Sequence, residues 1–384
     1  MSRLFLLLPV AAAAVWFVQR YREGAFNRTK RPRLPAAAPA QPAATPAWVY
    51  RPEDYGLVAD ELLDTRLPGP DTELVKALEA ASTGDWAPAS ELLAASDPEW
   101  RWIRVTVLAS AAAEDDSWVR AWRAARPGDA AAVLVSAESL VALAWKLRGN
   151  RGAKDTTREQ FENFHRVLAQ ASGALAEAAR LAPEDPCPYI AMIRVALGEG
   201  WAHEHMHALW REVVVRAPHH VGAHSAALQY WCAKWRGSDE HMHAFAESAV
   251  AQAPAGSLLP LLRLIALFEE LHEEQRSHPR YQSAEATAAI DALFADLAMA
   301  PPGHPWLPAA RHLLVWFLRA QRRTVEAAEQ LRLVDGFIGA LPWRYYLDPV
   351  AFYCSVRQNL VLAAAHLIRE AEEAKMNEAR TMER

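Results

Sequence analysis

Glycine is scarce in this 384-residue chain, at 16 residues, and cysteine is scarcer, at three. With so little glycine there is no phosphate cradle: no G-x-x-x-x-G-K-[S/T] string occurs. Gly198-Glu199-Gly200 has no third glycine and follows no strand pattern, which argues against a dinucleotide site. No G-x-S-x-G elbow is present either. Cys187, Cys232 and Cys354 stand far apart, without C-x-x-C or zinc-ligand spacing, and read as buried free thiols of a reducing compartment. A basic excess is missing from the body of the chain. The net charge is −5, yet residues 1–33 alone carry +6, from Arg3, Arg20, Arg22, Arg28, Lys30, Arg31 and Arg33 against Glu23, which leaves −11 for the rest. Phosphates would be repelled by such a body, so a nucleic-acid partner is not expected.

Alanine dominates instead, with few asparagines and few β-branched runs, and this favours helix nearly everywhere. Three helices are expected to close on the same dipeptide, Ala182-Pro183, Ala217-Pro218 and Ala253-Pro254, at steps of 35 and 36 residues. Within two of those steps the string Glu204-His205-Met206-His207-Ala208 returns as Glu240-His241-Met242-His243-Ala244. A period near 34 with a helix ending at proline marks helix–turn–helix repeats of tetratricopeptide type. The expected fold is all-α, an α–α superhelix of about seven helix pairs with a C-terminal capping helix from about Pro349 to Ala379. Further closing prolines fall at 127, 301 and 342. The 15 tryptophans mostly follow the helical pattern and read as plugs between helices, Trp201 and Trp231 among them; the competing reading is an aromatic ligand groove.

The N-terminal quarter divides by composition. Leu4 to Val18 is apolar throughout and is read, within residues 1–19, as a membrane anchor rather than a cleaved signal. Six cations follow it, in the basic flank 20–33, and by the positive-inside bias that end stays in the cytoplasm; export is the alternative. Residues 34–70 form a Pro/Ala-rich linker and lead-in segment, with prolines at 35, 39, 42 and 46 that forbid a helix. Residues 71–384 form the helical-repeat domain.

Lys146-Leu147-Arg148-Gly149 and Lys234-Trp235-Arg236-Gly237 share one form: cations for the last helical turn, then glycine for a left-handed ending. Capping explains both copies. The alternative makes Lys146, Arg148, Lys234 and Arg236 a contact for an anionic partner segment. The second copy closes the longer run Gly200-Trp201, Ala208-Leu209-Trp210, Ala217-Pro218-His219-His220 and Gln229-Tyr230-Trp231-Cys232-Ala233. With Leu143-Ala144-Trp145 and Glu159-Gln160-Phe161, this run resembles an uncharacterised bacterial family, a domain of unknown function with tetratricopeptide-like repeats, over roughly residues 70–275. The resemblance implies the helical-repeat fold and carries no catalytic residue.

One catalytic string matches literally. His203-Glu204-His205-Met206-His207 is an H-E-x-x-H, which on a helix puts two imidazoles on one face with a glutamate beside them for a zinc-bound water. Against a zinc peptidase, Trp210 stands where the extended motif has glycine, no glutamate occurs between Glu212 and Glu240, and the sister repeat has Asp239 in place of His203. A second alternative pairs His205 and His207 with His241 and His243 across adjacent repeats, as a metal-binding or pH-responsive patch that His219, His220 and His224 extend. The leading expectation is a non-enzymatic scaffold without cofactor that binds a protein or peptide along its concave face, with His203 and His207 turned to solvent.

Overall fold

The computed structural model describes residues 50–149, 156–271 and 278–382. The expected anchor, basic flank and Pro/Ala-rich spacer lie outside the described residues. Those described fold into fifteen α-helices, with no β-strand among them. Seven consecutive pairs are α1 (Thr72–Ser82) and α2 (Ala87–Ala94); α3 (Pro98–Ala112) and α4 (Ser117–Ala125); α5 (Ala130–Arg148) and α6 (Arg158–Leu181); α7 (Cys187–Glu199) and α8 (His203–Arg216); α9 (Val221–Trp231) and α10 (Asp239–Ala251); α11 (Leu261–Leu271) and α12 (Ala284–Met299); α13 (Leu307–Ala320) and α14 (Thr324–Arg332). A last helix, α15, runs Pro349–Met382.

Local chemistry sets the starts of these helices. Asp71, Asp97 and Asp129 accept from backbone N–H groups of the first turns of α1, α3 and α5. Thr157 and Gln160 close a capping box on α6, and Ser238 and Ser283 cap α10 and α12. Each such cap satisfies donors that a helix start leaves orphaned, worth about 1 kcal/mol.

The odd-numbered helices form the inner layer. In that layer α3 packs on α5, α5 on α7, α7 on α9, α9 on α11 and α11 on α13. Helix α13 shows the consequence: His312, Leu313, Leu314, Val315, Trp316, Phe317 and Leu318 are all buried, so it is covered all round. The even helices form a second layer and bury one stripe, as α4 does with Trp118, Val119 and Trp122. Helix α5 alone among the described residues has the length and apolarity to cross a membrane. Here it packs between α3, α6 and α7 as a core helix.

Two contacts close the stack on itself. Helix α3 also reaches α7 and α9, and Gly222 permits this: a Cβ there would lie 2.5 Å from Trp102 Cδ1. The lead-in stretch from Tyr50 to Pro70 belongs to the folded body rather than to a linker. Asp64 N–H donates to Gly336 O and Ile338 N–H to Asp64 O, both at 2.8 Å, while Gly339 N–H donates to Leu67 O. Buried Arg357 of α15 donates to Val58 O at 2.7 Å, to Asp335 at 2.9 Å and to Asp60. The first part of α15 therefore caps the stack, through Tyr353, Val356, Leu360 and Val361. Its charged end does not: residues 366–382 are exposed.

Candidate functional site

Helix α8 presents two faces. Met206, Leu209 and Val213 are buried against α7, and one helical phase away His203, His207, Trp210 and Val214 look outward. Helix α10 repeats the arrangement, burying Met242, Ala246 and Ala249 and turning His241, Phe245, Ser248 and Gln252 toward α8. Between them opens a cleft of about 350 Å³, floored by Trp231 and His224 of α9 and closed at one end by Pro218 and His219 of the α8–α9 turn.

Rings line most of this cleft. The centroid of Trp231 lies 5.0 Å from His203, 5.1 Å from His207 and 6.0 Å from His241. Trp210 stands edge-on to His224 at 4.8 Å and to Phe245 at 5.3 Å. These edge-to-face contacts fix ring orientation beyond simple burial. His203 Nε2–H donates to Arg236 O at 2.7 Å, which ties the start of α8 to the α9–α10 loop. Ala202, at the cap position of α8, offers no side chain for that start.

The histidines are thus brought together in a different set from the one expected. His203 and His241 meet at 5.9 Å, and His207 joins them around Trp231. His205 instead packs on Trp201, and His243 Nε2 bonds Glu270 at 2.8 Å. The reason is helical phase: two residues apart is 200°, so His205 and His207 cannot share a face. His203 is half-buried rather than solvent-facing, while His207 is exposed. Among the described residues, no group of three or more His, Cys, Asp or Glu side chains is placed to hold a metal ion.

His219 and His224 border the cleft, but His220 turns inward. Its Nδ1 accepts from Ala223 N–H and its Nε2–H donates to Pro98 O, both at 3.1 Å. Burial pushes His220 and His224 down to about 4, so both are neutral near pH 7. Beside His220 sits Glu99, in the first turn of α3. It accepts from Val221 N–H at 2.6 Å and from Trp306 Nε1–H at 2.9 Å, and so joins the starts of α3, α9 and α13. Burial drives its carboxyl up to about 7, against the lowering effect of those donors. No local sequence signal marks this group, because its partners lie more than 100 residues away.

The four cations of the repeated tetrad make different contacts, although Arg148 brings the first copy against the second. Lys146 reaches Glu114 at 2.5 Å at the surface, and Arg148 lies over Trp145 and Trp235. Gly149 ends α5 at the expected place and with a positive φ of 78°, but its ψ of 176° is extended rather than left-handed helical. The second copy behaves otherwise, because α9 already ends at Trp231. Lys234 bonds the buried carboxylate of Glu269 at 2.5 Å and Tyr345 Oη at 3.0 Å, which raises its pKa, while Arg236 is exposed. Gly237 is held by close approach: a Cβ there would lie 1.9 Å from Trp231 O. Of the three cysteines, Cys187 and Cys232 are buried free thiols and Cys354 is half-buried. Trp231 is 7% exposed, whereas Trp201 is only half-buried. No family model, curated protein or solved structure matches this chain.

Proposed function

We propose that this chain is a non-enzymatic, tetratricopeptide-like scaffold that docks a segment of a partner protein at the cytoplasmic face of a membrane. The observation that carries this reading is the ring-lined cleft between α8 and α10. A pocket of this size, with a few polar groups among aromatic walls, suits anchor side chains. The inner faces are occupied by α3 against α7 and α9, so docking is assigned to the cleft rather than to a concave inner surface. Val214, in the lining, is 36% exposed. The membrane tether rests on the apolar run Leu4–Val18 and the six cations that follow it.

The H-E-x-x-H string has no catalytic part in this reading. Glu204 is exposed at the helix start, and His203 Nε2 is engaged by Arg236 O. The test is an unbiased peptide-display selection on the whole protein. Selected peptides are expected to lose binding on Val214→Glu and to keep it on Lys146→Ala. Peptides indifferent to Val214→Glu, or no selected peptide at all, would overturn the docking reading.

A further inference from the structure

The chemistry of the cleft restricts what can occupy it, and this inference rests on the docking reading above. Its lining contains five imidazoles, from His203, His207, His219, His224 and His241, and no Asp, Glu, Lys or Arg. The only charge such a lining can acquire is positive. The carboxylates nearby lie outside the lining, and one of them, Glu240, acts electrostatically on His241. Glu247 bonds Arg263 at 2.6 Å, Glu270 bonds His243 and Arg280, and Glu240 is held by Ser238. His207 and His241, on opposite walls, pack against Trp231, and neither imidazole has a hydrogen-bond partner among the described residues.

A cationic anchor would meet these imidazoles with no carboxylate among the lining residues to receive it. A purely apolar anchor would use the rings and leave the imidazole N–H donors unpaired. A side chain with a π face fits between Trp210, Trp231 and Phe245, where edge-to-face contacts are available. A carboxylate beside it would accept from His207 and His241, in charge-assisted bonds whenever either ring is protonated. From this complementarity we infer that the cleft selects an acidic partner segment that inserts an aromatic side chain and sets a neighbouring Asp or Glu against His207 and His241.

Three synthetic peptides test this by calorimetric titration of the full chain. One carries phenylalanine flanked by glutamates, the second has lysines in place of the glutamates, and the third has alanine in place of the phenylalanine. The first is expected to bind, and the other two about tenfold more weakly or worse. In the double variant His207→Gln/His241→Gln the Glu-over-Lys preference should vanish while the need for phenylalanine persists. Both residues are exposed, so the fold should survive, as circular dichroism would check. Equal or tighter binding of the lysine peptide would overturn the acidic assignment and leave docking in the cleft intact. Failure of all three, while display-selected peptides do bind the cleft, would likewise refute only the chemistry. Failure of both sets removes the docking reading too. Self-association of the free protein that Val214→Glu abolishes would place a second copy in the cleft and overturn the inference.

Discussion

Glu99→Gln provides a sharp test of the closed inner layer. The carboxyl lies where α3, α9 and α13 converge, accepts two hydrogen bonds, and is pushed up to about 7 by burial. Its unfolded value is near 4.5, so between about 4.5 and 7 the folded state binds more protons than the unfolded state. Stability from this group is fully present below the unfolded value and is lost as pH rises through the folded one. A difference of roughly 2.5 pH units corresponds to about 3 kcal/mol. Buried His220, His224 and His312 act in the opposite sense. Each is lowered to about 4 by burial, so each contributes stability above about 6.5 that is lost as pH falls toward 4. Comparing the variant with the parent at each pH cancels the contribution of the histidines that do not touch Glu99; His220, whose Nδ1 lies 3.3 Å from its carboxylate, is the exception. The substituted amide cannot ionise, although it loses one acceptor, so at pH 5 the variant should be equal or less stable. In urea unfolding, the stability of the variant minus that of the parent should then rise by about 2–3 kcal/mol between pH 5 and pH 8. A difference that stays flat across that range would mean Glu99 is solvated, and the inner helices do not close around it.

Trp231→Ala should cost about 3–5 kcal/mol as a large-to-small core change, read as a lower melting temperature; an unchanged one would make the residue exposed surface. Asp335→Ala leaves the buried guanidinium of Arg357 without its main counter-charge and should cost about 3–5 kcal/mol. Limited proteolysis should then cut within residues 50–70, and full resistance there would refute the clasp between the two ends of the stack. Glu204→Gln should leave melting temperature and peptide binding unchanged; a selective loss of binding or of any hydrolytic activity would restore a role for the H-E-x-x-H string.

The helix pairs were legible because their ends carry chemical punctuation. Asp71, Asp97, Asp129, Thr157 with Gln160, and Ser238 all cap helices with side chains whose type favours that position, and Gly149 follows the last residue of α5. Identical strings were a weaker guide. Lys146 to Gly149 and Lys234 to Gly237 have the same form, yet only the first ends a helix, because α9 stops three residues before Lys234. Aligning His205 with His241 by repeat position ignored helical phase, which sends His205 toward Trp201 and brings His203 and His207 to the cleft. The contacts of Glu99, the clasp of residues 50–70 on α15 and the burial of His312 are long-range, so no local pattern announces them. The plug reading of the tryptophans is met where the side chain is fully enclosed. Trp122, Trp316 and Trp343 are plugs, whereas Trp210 and Trp231 are packed and also wall the cleft.

Hydrogen–deuterium exchange on the full chain, with and without a saturating display-selected peptide, tests the docking claim most directly. Added protection is expected on the α8 and α10 segments that wall the cleft, about His203 to Val214 and His241 to Gln252, and not on α3 or α13. Protection spread over the inner helices, or absent from α8 and α10 while the peptide is bound, would contradict docking between them.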